Sequence, residues 1–232
     1  MELELCIESL AGVEAAKKYG IKRVELCSAL DLGGLTPSYG LIQRCAAHKE
    51  VETHVMIRPR PGDFIYTIPE KQLMLMDIMA AGSAGAKGVV FGILNEVGGI
   101  DVPAMQEMTD FARKMGLEVT FHRAFDTVAD PRTSMEDLVN IGCTRILTSG
   151  GERRAIDGIR NISEYVIWAA DRIQIMAGAG VDSSNAPELS ATGVSALHFS
   201  AREPFLTDSP LPFGTKYLVD EKKIMGILSV IA

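Results

Sequence analysis

The chain has 232 residues, 47% of them hydrophobic and 23% charged, which is enough apolar material for a full-sized core. A net charge of −7 disfavours phosphate backbones and argues against a nucleic-acid partner, while leaving room for a local cationic pocket. The start, Met1-Glu2-Leu3-Glu4-Leu5-Cys6, lacks the basic and long apolar regions of a leader, and no apolar run would span a bilayer; the expectation is a soluble, cytoplasmic protein with no membrane partner. Cys6, Cys27, Cys45 and Cys143 are far apart and form no Cys-x-x-Cys pair, so they read as free thiols of a reducing compartment.

Short β-branched or apolar runs alternate with helical patterns along the chain. Strands are expected at 3–8, 23–27, 52–58, 88–94, 118–125, 145–149, 174–177 and 196–200. Helices are expected between them at 9–19, 38–49, 69–83, 102–115, 133–141, 155–171 and 185–192. A stretch rich in Pro and polar residues predicts a long loop at about 203–219, and the tail predicts a closing helix at about 220–231. Gly20, Gly85, Gly116, Gly142 and Gly193 stand just past helices, where left-handed backbone ends them. Regular β-α units predict a parallel α/β sheet, and eight of them in this length predict closure into one (β/α)8 TIM barrel, a single domain over 1–232. An open dinucleotide-binding sheet fits less well, because no strand leads into Gly-x-Gly-x-x-Gly.

Strand residues alternate between faces. Leu3, Leu5, Ile7, Val24, Leu26, Val55, Ile57, Val119, Phe121, Leu197 and Phe199 should face the helices. That parity turns Glu8, Glu25, Arg58, His122 and His198 into the lumen, with Cys6 and Cys27. Residues at the C-terminal ends of barrel strands build sites. Glu8, Arg58, His122 and Ser149 lie at or near such ends, so a polar pocket of Glu8, Glu25, Arg58, His122, Ser149 and His198 is expected. The plain alternative is a salt-bridge network that only fills the barrel, with Arg58 paired to Glu25 or Glu8; Glu4 and His54 lie lower and read as structural.

Three strings stand out: Arg23-Val24-Glu25-Leu26-Cys27-Ser28 with Gly33-Gly34-Leu35-Thr36-Pro37-Ser38, then Met56-Ile57-Arg58-Pro59-Arg60-Pro61-Gly62-Asp63-Phe64, then Thr120-Phe121-His122-Arg123-Ala124-Phe125-Asp126. Downstream come Arg145-Ile146-Leu147-Thr148-Ser149-Gly150-Gly151, Ile175-Met176-Ala177-Gly178-Ala179-Gly180-Val181 and His198-Phe199-Ser200-Ala201. In this order and spacing the chain resembles the CutC family of copper homeostasis proteins, from about Leu3 to Ala201. The resemblance implies a cytoplasmic (β/α)8 barrel, commonly a homodimer, with a copper-handling role and no established reaction. It points to cysteines of the first two strands as metal ligands, here Cys6 and Cys27.

The residues themselves leave three readings open. Copper(I) is soft and takes thiolate and thioether ligands, so Cys6 and Cys27 on adjacent strands, with Met56 or Met176, would suit it; buried Cys and Met also serve as plain packing. Alternatively, Gly150-Gly151 and Gly178-Ala179-Gly180 are short loops that could cradle a small anionic or phosphorylated metabolite at the C-terminal mouth, helped by Arg58, Arg60, Arg123 or Arg202, with His122 and a carboxylate as acid and base. Glycines also simply make tight turns. The third reading is an interaction module whose lumen is structural.

Overall fold

A computed structural model describes residues 1–205 and 214–231. The elements run β1 (Glu2–Ile7), α1 (Leu10–Lys18), β2 (Arg23–Leu26), α2 (Tyr39–Ala46), β3 (Glu52–Met56), α3 (Ile68–Ser83), β4 (Gly88–Phe91), α4 (Val102–Lys114) and β5 (Glu118–Phe121). They continue as α5 (Pro131–Ile141), β6 (Arg145–Thr148), α6 (Ile159–Ala169), β7 (Gln174–Ala177), α7 (Ala186–Ser190), β8 (Ala196–Ser200), β9 (Arg202–Phe205), β10 (Lys216–Val219) and α8 (Glu221–Ile231). Strands β1 to β8 pair in parallel in chain order, and β8 closes on β1. The closed (β/α)8 barrel is the architecture that the strand–helix alternation predicts.

Local chemistry sets the element ends. Thr67 and Glu70 form a reciprocal capping box at the start of α3. Asp101 and Asp130 each accept backbone N–H groups at the starts of α4 and α5, with proline in the first turn where no N–H is needed. Leu5, Val24, Leu26, Val55, Val119, Phe121, Leu197 and Phe199 are buried in the continuous layer between strands and helices. Among the described residues, no helix is long and apolar enough to cross a membrane.

Two expectations about connections are corrected. The stretch at about 203–219 is not simply a loop: β9 and β10 flank it as an antiparallel ribbon, with Arg202 opposite Val219 and Phe205 opposite Lys216. The pairing is non-local, and Pro204 hides β9 from period-two reading. Residues 206–213, the middle of that expected loop, lie outside the described residues. Helix α6 begins at Ile159 rather than near 155, because Ala155 donates its N–H to the Ala179 carbonyl across the barrel rim.

The lumen makes room for its histidines with glycines on adjoining strands. A Cβ on Gly88 would stand 2.4 Å from the His54 ring, one on Gly92 2.7 Å from His122, and one on Gly178 3.2 Å from His198. Close-packed interiors do not absorb such overlaps without movement. Gly88→Ala is therefore expected to destabilise the barrel by roughly 1–3 kcal/mol, measurable by urea unfolding; an unchanged midpoint would mean the His54 ring turns away freely.

Candidate functional site

The register sets the heights of the inward side chains. Cys6 pairs with Glu25 across β1 and β2, Glu25 with His54 across β2 and β3, and Glu4 with His198 across β1 and β8. Low in the lumen, Arg23 Nε donates to Glu4 Oε2 at 2.5 Å and its Nη1 donates to Glu2. Glu4 Oε1 lies 2.8 Å from His198 Nδ1, so one buried carboxylate joins the guanidinium below to the imidazole above. Arg145 forms a second buried group, donating to Thr120, Gln174 and Glu118.

Above this floor the sulfurs converge. The Sγ atoms of Cys6 and Cys27 lie 3.3 and 3.4 Å from the same oxygen, Glu25 Oε2, and His198 Nε2 lies 3.6 Å from it. The other oxygen of Glu25 is buried without a partner among the described residues. Ligand atoms of Cys6, Glu25 and Cys27 lie within 4.8 Å of one another, as do those of Glu4, Glu25 and His198. Met56 packs with Cys6, Cys27 and Val90. Met176 belongs to a separate cluster with Leu147 and Ala196, its sulfur 3.7 Å from Arg23 Nη2, so it adds nothing to the thiol pair.

Charge in this cluster follows from the contacts. The Cys27 hydrogen bond and the nearby His198 pull the Cys6 thiol down to about 5, against the effect of burial. The bond to Cys6, burial and the Glu25 charge push Cys27 well up. Burial raises Glu25 well above the carboxylate range. Burial opposes a charge on His198, but Glu25, the Cys6 sulfur and Glu4 raise it well above the ordinary histidine value. Burial also disfavours charge on Glu4, yet His198 and Arg23 hold it well below the carboxylate range. Cys45 and Cys143 sit elsewhere, pushed up by burial to about 11 and about 12, and stay protonated thiols.

A cavity of about 510 Å³ opens above the cluster at the C-terminal ends of the strands. Cys6, Glu25, Met56, Arg58, His122 and His198 line it, with Phe64, Arg123, Gly180 and Arg202. Three expected site residues have roles other than those anticipated. Arg58 pairs with neither Glu25 nor Glu8: its guanidinium donates to the carbonyls of Leu32, Gly34 and Gly62. Glu8 does not line this cavity: it accepts from the Leu30 N–H at 2.7 Å and from Arg202, and lines a neighbouring cavity. Ser149 is buried in the wall, bound to Asp126.

The expected anion loop after β6 is already satisfied internally. Gly150 N–H donates to Thr148, Gly151 N–H to Asp126, and in the following loop Gly178 N–H donates to the Thr148 carbonyl. Gly150 instead permits a close crossing, since a Cβ there would meet the Gly158 carbonyl oxygen at 2.3 Å. Gly180 alone of these four glycines lines the cavity. Asp126 organises this side: it accepts from Thr148, Ser149, Gly151 and Arg123. Leu30 and Phe64 also stand in the wall, and local pattern does not place them there because both reach it from segments that carry no periodic signal.

His54 and His122 have the opposite electrostatics to His198. Burial pushes each down to about 3 from 6.5, so both are neutral in the folded protein at neutral pH. Between about pH 6.5 and 3 the unfolded chain binds the extra protons, so stability falls as pH falls, by up to about 1.4 kcal/mol per pH unit for each ring. His198 has the opposite sign: its contribution is present below the ordinary histidine value and lost as pH rises through its raised pKa. Urea unfolding stepped down from about pH 7 to about pH 5 should show the acid loss, and His54→Gln should flatten the slope. A slope identical in that variant would show that His54 is not responsible.

Fold and site together define the class: a parallel (β/α)8 barrel whose interior gathers two thiols, an acid and an imidazole. The CutC family model matches residues 1–203, and this chain belongs to the CutC family. A CutC-family protein of Glaesserella parasuis is 42% identical over 100% of this chain and 99% of its own length. One from Vibrio cholerae is 45% identical over 87% of this chain and 80% of its own. A solved CutC from Streptococcus agalactiae, named for copper homeostasis, has a TM-score of 0.80 at 37% identity, covering 85% of this chain and 97% of that one. A 3-hexulose-6-phosphate synthase, with a TM-score of 0.65 and 14% identity over the full length of both chains, shares the fold alone.

Proposed function

We propose that this protein is a cytoplasmic copper-handling protein that takes up copper(I) as cargo through Cys6 and Cys27. The observation that carries the reading is the convergence of both Sγ atoms on one Glu25 oxygen, at 3.3 and 3.4 Å. The donor set fits a soft ion, since thiolates, with a thioether beside them, are what copper(I) prefers. Glu25 keeps one buried oxygen without a partner among the described residues, and a cation nearby would relieve that cost. His198, held by Glu4, would then orient the acid and balance the charge of the thiolates. The name of the Streptococcus agalactiae relative points the same way. Anaerobic copper(I) titration against a competing chelator tests the reading.

The homodimer expected from the family belongs to the same proposal. Leu73, Met76 and Met79 stand exposed along α3 and offer apolar surface for a second copy. Sedimentation equilibrium of the wild type, and of Met76→Lys, measures whether that surface is used.

A further inference from the structure

The cavity over the thiols is far larger than an ion needs. Its volume, about 510 Å³, falls in the range of small-molecule sites, roughly 300–1,000 Å³. Leu30, Met56, Phe64 and Leu147 make an apolar wall, and a few polar groups converge within it. That is the composition of a pocket for an organic ligand.

Two lining residues carry unmet donors. His122 Nδ1 accepts the Ala124 N–H at 3.2 Å, so the neutral ring keeps its proton on Nε2. That Nε2 is buried and has no partner among the described residues. Arg58 is only 5% exposed, yet it stands in no ion pair among the described residues. Three carbonyls take up its terminal nitrogens, and its Nε is buried without a partner. A buried cation compensated only by dipoles, beside a second orphaned donor, favours an anion. Phe64 holds the two together, its ring 4.7 Å from the His122 ring and 5.1 Å from the Arg58 guanidinium carbon.

We propose that this cavity binds a small organic carboxylate, held beside the His122 ring and the Arg58 guanidinium, its carbon frame lying against the Leu30–Met56–Leu147 wall. A phosphate would call for a denser cradle of N–H groups, and those of Gly150, Gly151 and Gly178 are already used. The proposal does not depend on copper.

The test uses reduced, chelator-treated protein, so its outcome is separate from that of the copper titration. Pyruvate and succinate are titrated, with inorganic phosphate and glycerol as comparators, while the histidine ring nitrogens are followed by two-bond 1H–15N spectroscopy and heats by calorimetry. A carboxylate should shift the His122 Nε2 resonance and bind saturably. His122→Leu should weaken it about tenfold or more, whereas His122→Gln, which retains a side-chain N–H, should keep most of the affinity. If the leucine variant does not fold, the wild-type resonance decides. The proposal is overturned if no carboxylate moves that resonance, or if phosphate or glycerol moves it equally.

Discussion

Arg23→Ala is expected to cost roughly 3–5 kcal/mol of stability, because it strands a buried carboxylate. Arg23 and Glu4 are both buried, and their side chains meet at 2.5 Å low in the lumen. Desolvating the pair is costly, so the intact bridge contributes little net stability, but losing one partner leaves Glu4 facing His198 alone. For a chain of this length the melting temperature should fall by roughly 6–20 °C. Arg23→Met combined with Glu4→Gln removes both charges and should cost much less, which a double-mutant cycle read by thermal unfolding will show. The Arg23→Ala penalty should also shrink in acid, where the stranded Glu4 takes up a proton. Equal costs for single and double variants would mean that packing, not charge, holds the floor of the barrel.

Removing both sulfurs should abolish copper(I) uptake. The wild type is expected to bind near-stoichiometrically under anaerobic conditions, and the Cys6→Ser, Cys27→Ser double variant to lose the ion. Serine is a hard oxygen donor with no thiolate, so the loss should exceed the roughly 10–100-fold typical of changes around a metal's immediate ligands. Each single variant should fall in between. Cys45→Ser and Cys143→Ser should bind as the wild type does, since those thiols are buried elsewhere and held protonated. Equal uptake by the double variant would remove these sulfurs from the ligand set.

Much of the architecture can be read from local pattern. The strand–helix alternation and the glycines after helices led to the barrel. Period-two parity turned Cys6, Glu25, Cys27, Arg58, His122 and His198 toward one interior, and five of these line the mouth cavity while Cys27 lies just beneath it. What pattern did not supply was partners. Arg58 reads as a pocket residue or one half of an ion pair; it lines the pocket, but its partners are carbonyls of two loops. Glu4 reads as structural, and besides its bridge to Arg23 it reaches His198, a partner that no local pattern names. Gly150 and Gly151 looked like an anion cradle and proved to be a tight crossing anchored by Asp126.

The amino-acid order alone determined which side chains point inward, because alternation along a strand is a property of the strand itself. The tertiary structure decided their heights and neighbours. Glu4 reaches His198 only because β8 returns to β1 with that stagger, 194 positions away in the chain. The two sulfurs share one oxygen only because Cys6 pairs with Glu25 rather than with a residue above or below it. Closing a cylinder sets a single stagger for all its strands together, and no local stretch of sequence contains that information.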